Sequence, residues 1–490
     1  MHMHTRYTAV FLLMAGLAVP CATRAGDRPN ILLVIADDWS WPHAGAYGDP
    51  VVQTPAFDRL AREGVLFQHA FVSAPSCTPS RGALLTGQWH WRLRAGANLW
   101  SVFPDEFATY PELLAQAGYE TGVTGKGWGP GRPATAGRQL AGQPYASFQQ
   151  FVAQRDPGKP FCFWLGSTDP HRPYELGAGQ HAGIDLGRIE LPGCLPDMPA
   201  VRSDVADYYW EVQGFDQLVE AALTTLEDIG QLDNTIIVVT SDNGMPFPRC
   251  KANLYDSGAR VPLVIRWGPR TAAPRVVEDF ISLTDLAPTF LEAAGLPAPA
   301  AVTGRSLLPL LHGGRSGQVD PARDCVLIGK ERHCPAQERP DLGGYPCRAI
   351  RTRDYLYIRN FAPERWPAGT PDHMRAAFSH AWLGDCDNGP TKMVLVERRQ
   401  QDAASGRLYT LAFAKRPAEE LYDLRLDPQQ LQNVADRPAY AQVRAQLAER
   451  LTQQLSATGD PRIVGGADAF DAYEYLGGAP AYPAPHDAHN

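Results

Sequence analysis

The stretch "NILLVIADD" (residues 30–38) governs the architecture of the chain. From Ile31 to Ala36 it is apolar without a break. A strand half exposed to water alternates polar and apolar residues. An unbroken run predicts a strand covered on both faces, as inside a parallel sheet. The run stops on two adjacent carboxylates, Asp37 and Asp38. Three further runs share this texture: "FCFWLGS" (161–167), "TIIVVTS" (235–241) and "VPLVIRW" (261–267). Helical patterns lie among them. In "TPAFDRLAREG" (54–64), Thr54 suits an N-cap, Pro55 the first helical position and Gly64 the stop. Val205, Tyr208, Val212, Phe215, Val219, Ala222 and Leu226 recur at three- and four-residue steps, the spacing of one buried helix face. "SLTDLAPTFLEAAG" (282–295) predicts another helix. Buried strands alternating with amphipathic helices predict an α/β fold, a doubly wound and mostly parallel sheet.

After about residue 345 the pattern changes. "CRAIRTRDYLYIRNF" alternates like half-exposed antiparallel strands, "ELYDLRLDPQQLQNVAD" reads as strand, turn and helix, and "RAQLAERLTQQL" as an amphipathic helix. The expected organisation is a main domain over 26–345, a smaller C-terminal α+β subdomain with an antiparallel sheet over 346–475, and a flexible tail over 476–490.

Residues 1–25 read as an export signal: a weakly basic "MHMHTRY", an apolar "TAVFLLMAGLAVP" too short to span a bilayer, and small residues in "ATRA". "LAVPC" places Val and Pro where a lipoprotein signal before Cys21 needs small residues. The expectation is a periplasmic or secreted protein without a membrane span. The 490 residues include 44% hydrophobic and 20% charged ones, which suits a large core and excludes a disordered chain. A net charge of −8 argues against nucleic acid or an anionic membrane as partner, and leaves room for a small anion in a local basic pocket. Of nine cysteines, eight follow the leader, with no CxxC pair and no Cys/His zinc spacing. Cys334 and Cys347 bracket a short loop and are the pair expected to form a bridge.

Ligand sites in open α/β sheets form beyond the carboxyl ends of the strands. Two of these ends carry oxygen donors: Asp37 and Asp38 after the first strand, Asp242 and Asn243 in "TIIVVTSDNG". Hard oxygen donors without His or Cys favour Ca²⁺ or Mg²⁺ over zinc. Each pair on its own is also good turn chemistry. A third segment, "SAPSCTPSRGALLTG" (73–87), sets Cys77 before a helix whose free N–H groups suit an oxyanion, with Arg81 one turn on. It aims a nucleophile and a guanidinium at one place.

"CTPSR" resembles the signature C-x-P-S-R of the formylglycine-dependent sulfatases. The resemblance continues through "TPAFDRLAREGVLF", "LLTG", "SDNG", "VPLVIRW", "GRSLLPLL" and "ELYDLRLDPQQLQN". It implies an alkaline-phosphatase-like fold and oxidation of Cys77 to formylglycine by a formylglycine-generating maturation enzyme. It implies one Ca²⁺, with Mg²⁺ as the alternative, on Asp37, Asp38, Asp242, Asn243 and the modified residue 77. Arg81 would hold the hydrated aldehyde and Lys126 would touch the diol and the sulfate. His171, in "STDPHRPY", would contact sulfate or protonate the leaving group, and Lys251 would bind a sulfate oxygen. In the implied chemistry one hydroxyl of the diol attacks sulfur and the second drives release of sulfate, which a plain Ser or Cys cannot do. Without the resemblance, Lys126 and Lys251 read as solvated lysines and His171 as a loop histidine.

Many members carry Lys-x-His where this chain has Lys126-Gly127-Trp128. An indole donates a hydrogen bond but shuttles no proton near neutral pH. Trp128 is therefore expected to form a substrate wall, by stacking on a sugar or donating its N–H, with a core tryptophan as the alternative. "SDNGMPFPRCKANLYDSG" and "STDPHRPY" are closest to N-sulfoglucosamine sulfohydrolases (heparan sulfamidases), which implies a sulfated, glycosaminoglycan-type small molecule or oligosaccharide as substrate. In "GKERHCPAQERP" (329–340), Glu331, Arg332 and His333 are candidates for the sugar pocket, against a solvated loop. The competing readings are a phosphatase or phosphodiesterase of the same superfamily, which would need a further Asp/His cluster for a second metal, and an inactive sulfated-glycan-binding homologue.

Overall fold

A computed structural model describes residues 28–483. The export signal expected over 1–25 lies outside the described residues. In chain order the first strands are β1 (Asn30–Ala36), β2 (Val65–Phe71), β3 (Ser101–Phe103), β4 (Glu120–Gly125), β5 (Gly131–Pro133), β6 (Gln143–Pro144), β7 (Phe161–Gly166), β8 (Thr235–Ser241), β9 (Leu263–Arg266) and β10 (Arg275–Ser282). They form an eight-stranded sheet in the order β10-β2-β9-β8-β1-β7-β4-β6, with β3 and β5 paired apart. All pairings in the large sheet are parallel except those of β9, which runs antiparallel to β2 and β8. β1 lies inside the sheet, between β7 and β8. Ile31, Leu33 and Ile35 enter one core, while Leu32, Val34 and Ala36 enter the other with Val205, Tyr208, Val212 and Phe215 of the long helix Pro199–Asp228. Both faces are covered, which is why the strand reads as an unbroken apolar run.

The second sheet is antiparallel: β11 (Cys325–Lys330), β12 (Cys347–Thr352), β13 (Tyr355–Asn360) and β14 (Glu419–Asp423). Leu447, Leu451 and Leu455 of the helix Ala441–Ala457 pack on one face, against Leu327, Ile350, Tyr357 and Leu421. Its other face, through Ile328, Ala349 and Ile358, joins the core of the large sheet. β11 lies upstream of residue 345 and pairs with β12, so the small sheet starts earlier than the sequence texture suggests.

Three expectations are corrected. Cys334 and Cys347 are both free thiols. Cys347 faces Lys330 across β11 and β12, and the chain then turns away, so that the Cys334 N–H reaches Asp385 and its sulfur meets the Tyr475 hydroxyl. No helix forms over 424–436, directly after β14: the Asp427 carboxylate accepts from the N–H groups of Leu431 and Gln432, and this local capture replaces helical bonding. Finally, the described part of the expected tail, 476–483, is docked, and 484–490 lie outside the described residues. Leu476 N–H donates to the Trp100 carbonyl, and Trp382 N–H donates to the Pro480 carbonyl. A Cβ at Gly477 would sit 2.2 Å from the Trp100 ring, so only glycine permits this approach. Among the described residues no helix is long and apolar enough to cross a membrane.

Candidate active site

The carboxyl ends of β1 and β8 lie side by side and deliver four buried side chains, Asp37, Asp38, Asp242 and Asn243. The helix Cys77–Thr86, buried along its whole length, points its first residue at them. Oxygen atoms of Asp37, Asp38 and Asp242 and the sulfur of Cys77 lie within 4.8 Å of one another. Asp38 has φ 76°, a conformation uncommon for a residue with a side chain. The strand end is thus turned so that adjacent carboxylates serve one point.

The donor set fits a hard cation. Asn243 Nδ2 donates to Asp38 Oδ1 (2.7 Å) and to the Gly244 carbonyl (2.9 Å), which fixes the orientation of the amide. Its Oδ1 is then buried without a protein partner. An orphaned acceptor beside three carboxylates is the arrangement a Ca²⁺ or Mg²⁺ would complete.

Cations surround this cage. Arg81, fully buried, donates from Nε to Asp242 Oδ2 (2.6 Å), from Nη1 to the Lys126 carbonyl (2.6 Å) and from Nη2 to the Ala36 carbonyl (3.3 Å). Lys126 Nζ bridges both oxygens of Asp37 at 2.7 and 2.6 Å. Gly125 makes that aim possible: its φ is 70°, and a Cβ would lie 1.9 Å from the Gly166 carbonyl. Lys251 Nζ lies 2.7 Å from Asp38 Oδ2. Burial alone would raise the Asp37 carboxyl, but Lys126 and then Arg81 hold it well below the usual carboxylate range. Burial would likewise lower Lys126 and Lys251; Asp37 and Asp38 respectively override it and keep both ammonium groups charged. Burial pushes the Cys77 thiol far up, so the unmodified thiol is a poor nucleophile here.

His171 follows β7. Its Nδ1 contacts the Arg172 carbonyl, and its Nε2 is 3.8 Å from Asp38 Oδ2. A carbonyl only accepts, so Nδ1 carries hydrogen and Nε2 is the nitrogen turned toward Asp38. Asp37, Cys77, Lys126, His171 and Lys251 border a cavity of about 760 Å³, within the size range of small-ligand sites; Asp38, Arg81, Asp242 and Asn243 lie behind them.

The structure thus brings Cys77, Arg81, Lys126, His171, Lys251 and the four oxygen-bearing residues to one place. Trp128 borders the cavity too, packed edge-on to Phe103. Its buried Nε1 has no partner and faces the helix at Gly82, where a Cβ would lie 3.3 Å away. Of the two contacts expected of Trp128, only the ring is available to a substrate. In the 329–340 loop, His333 reaches the cavity and bonds Ser76 Oγ through Nδ1 at 2.8 Å. Glu331 and Arg332 do not: Glu331 pairs with Arg348 (2.5 Å) and Arg462 (2.6 Å), and Arg332 binds the carbonyls of Asp471 and Tyr473. These two are structural, because the adjoining chain covers them.

Sequence reasoning missed Asp387, whose Oδ2 is 3.3 Å from Lys251 Nζ. Together with Asp38 and His171 it forms the further Asp/His cluster that the sequence did not reveal. Here the Lys251 ammonium, paired with both carboxylates, neutralises the charge that a second metal would balance. Arg172 was also missed. It borders the cavity and is anchored by Asp204 at 2.8 Å. One of the two Asp residues in "DCDNG" and an Arg after His171 carry no local signal.

Comparison with known proteins agrees with this geometry. The sulfatase family model matches residues 29–129 and 137–296. Human N-sulphoglucosamine sulphohydrolase is 31% identical, covering 92% of this chain and 93% of its own length. An ulvan-active sulfatase of Formosa agariphila is 26% identical, over 89% of this chain and 76% of its own. The fold matches that of a protein solved with its substrate D-glucosamine-2-N,6-O-disulfate (TM-score 0.62, 22% identity, 88% of this chain and 98% of that one). It also matches the phosphonate monoester hydrolase of Agrobacterium radiobacter (TM-score 0.64, 19% identity, 88% and 96%). With the family model spanning more than half of the chain, and a relative at 31% identity along nearly all of it, the chain belongs to the sulfatases, hydrolases of sulfuric esters.

Proposed function

We propose that the protein removes sulfate from an amino sugar of glycosaminoglycan type, as a sulfamate or a sulfate ester, with formylglycine made from Cys77 and one Ca²⁺. The observation that carries this reading is the convergence of Cys77, Arg81, Lys126 and Lys251 on a carboxylate cage that opens into one cavity. Similarity to an N-sulphoglucosamine sulphohydrolase supports the sugar class. Asp37, Asp38, Asp242 and Asn243 would hold the cation, which supplies charge to offset that of the sulfuryl oxygens. The aldehyde hydrate of residue 77 would supply two hydroxyls: one to attack sulfur as its bond to the departing nitrogen or oxygen breaks, the other to lose its proton, re-form the aldehyde and release sulfate.

The remaining work falls to this chain's side chains. Lys126 and Lys251 face the cavity as fixed positive charges, so no reorganisation accompanies the growth of negative charge on the sulfuryl oxygens. Arg81 locks Asp242 and the backbone at Lys126 into position. His171 gives a proton from Nε2 to the departing nitrogen or oxygen. The leader pattern supports export to the periplasm or beyond, and the "CTPSR" segment supports processing by a formylglycine-generating enzyme. Mass spectrometry of the peptide bearing residue 77, from protein made in a host with that enzyme, is expected to show the aldehyde or its hydrate, together with sulfate release from N-sulfoglucosamine. An unmodified thiol in fully active protein would overturn the mechanism.

A further inference from the structure

Asp387 is a carboxylate in a place where charge works against the ligand. Lys126, Lys251 and Arg81 gather around a site for an anion; Asp37, Asp38 and Asp242 face inward to the cation cage, and Asp169, which also borders the cavity, turns its carboxylate toward Gly214 of the long helix. Asp387 instead borders the cavity with its side chain 22% exposed. Among the described residues its one ion-pair partner is Lys251. A negative group here repels an approaching sulfate unless it makes a contact of its own with the substrate.

The loop that carries it is held firmly. The Lys392 ammonium, buried, donates to the carbonyls of Trp382 (3.0 Å), Leu383 (3.3 Å) and Cys386 (2.8 Å) and to Asn388 Oδ1 (2.9 Å). Lys330 Nζ, also buried, bonds Asp385 Oδ2 at 2.9 Å, and Asp385 Oδ1 accepts from the Cys334 N–H. Two buried ammonium groups therefore brace the chain on both sides of Asp387. Lys251 and its neighbours hold its carboxyl well below the ordinary range against the opposing effect of burial, so it enters the cavity charged.

Position says what it reads. Oxygen atoms of Asp387 and Asp38 and a ring nitrogen of His171 lie within 4.8 Å of one another. With His171 serving the departing atom, as proposed above, Asp387 lies beside the part of the sugar next to that atom. A charged acceptor there matches a hydrogen-bond donor on the leaving group. We propose that Asp387 is a specificity-determining residue: its carboxylate accepts a hydrogen bond from an amino or hydroxyl hydrogen of the sugar beside the sulfated atom. It thereby favours donor-bearing sugars over aryl sulfates and over sugars sulfated at that neighbouring position. This rests on the sugar reading of the previous subsection.

The test compares purified, matured wild type with Asp387→Asn and Asp387→Glu, on a sulfated glucosamine and on methylumbelliferyl sulfate, which has no donor beside its sulfated oxygen. The sugar is N-sulfoglucosamine or an O-sulfated glucosamine, whichever the wild type hydrolyses faster. The ratio of kcat/KM for sugar over aryl sulfate should fall about 10- to 100-fold in Asp387→Asn, the loss of one charged hydrogen bond, mainly through KM. Asp387→Glu should recover part of it. A sugar methylated on the neighbouring hydroxyl should lose a similar factor with wild type and little more with Asp387→Asn. A ratio within threefold of wild type in both variants would reduce Asp387 to a counter-ion of Lys251 and overturn the inference. A wild type inactive on N-sulfoglucosamine but active on the O-sulfated sugar would overturn the sulfamate reading alone.

Discussion

The floor and the rim of the cavity are made by different means. The floor, Asp37 and Cys77 with Asp38, Asp242, Asn243 and Arg81 packed behind them, comes from the ends of two inner strands and the first turns of one helix, all inside the core. The rim, His333, Asp387 and Pro480, comes from loops far along the chain, steadied by buried charges at Lys330, Arg348 and Lys392. The floor is precise because its backbone belongs to the sheet. The rim is precise because ammonium and guanidinium groups replace the hydrogen bonds that a sheet would supply. Chemistry shared by a family belongs on the first kind of support, and substrate choice on the second, since loops change without unsettling the sheet.

The largest effect should come from the floor. Cys77→Ser, made without a serine-acting maturation system, should fold and melt like wild type yet lose at least about a thousandfold in sulfate release, because serine offers no second hydroxyl. Rapid-quench measurement should find at most one sulfate transferred per enzyme. Wild-type-like turnover would contradict the two-hydroxyl chemistry and detach the floor from catalysis.

Removing the cation should act on activity and stability together. Exhaustive chelation should abolish turnover on sugar and aryl sulfates alike. If the ion is present at about a hundred times its Kd, stability falls by about 3 kcal/mol, read by thermal melting with and without added Ca²⁺. Activity and Tm both unchanged, with no metal found by elemental analysis, would show that Lys126, Lys251 and Arg81 alone balance the cage.

The rim should separate the substrates. Lys392→Met removes the ammonium that three carbonyls share and leaves those of Trp382 and Cys386 without that donor, while Leu383 keeps the Cys386 N–H, a loss of about 3 kcal/mol. In urea melts this should appear as a lower midpoint with formylglycine content unchanged. KM for the sugar should rise about tenfold as the Asp387 loop loosens, with a smaller rise for an aryl sulfate. An equal fall in kcat on both substrates at unchanged KM would show that the loop supports the floor.

This division also explains what was legible in the sequence. The strand "NILLVIADD" is readable because burial on both faces and two carboxylates in succession are local facts. Cys77 and Arg81 are readable because four residues make one helical turn. The rim is not local. Glu331, Arg332 and His333 are equally polar neighbours; which one reaches the cavity depends on Arg348, Arg462 and the carbonyls near Asp471, distant in the chain. Asp387 depends on Lys392 and Lys330 in the same way. Cys334 and Cys347 look like a pair in one dimension and are separated by the register of β11 on β12. The helix expected after β14 fails through a single Asp427 side chain whose preference for the following N–H groups outweighs the apolar spacing.

His333 joins the two regions, and the last prediction concerns it. The ring sits on the rim, yet its Nδ1 bonds the Ser76 hydroxyl next to Cys77. Burial lowers its pKa from 6.5 to about 4; Asp385 and Asp387 pull it up, while Lys251 and Lys330 push it further down. In the unfolded chain His333 takes a proton below about pH 6.5; in the fold it does so only near 4. Between these values the unfolded state binds more protons, so stability rises with pH across this window and is lost as pH falls. The full difference amounts to about 3 kcal/mol. His43, also held at about 4 by burial, contributes the same slope to wild type and variant and cancels in their difference. The stability of wild type minus that of His333→Gln should therefore be constant above about pH 7 and shrink steadily toward pH 4. A difference that grows on acidification would mean that the folded protein holds His333 charged, drawn by Asp385 and Asp387. The rim would then carry a positive charge beside Ser76, and the contrast between a charged floor and a rim read by Asp387 would have to be redrawn.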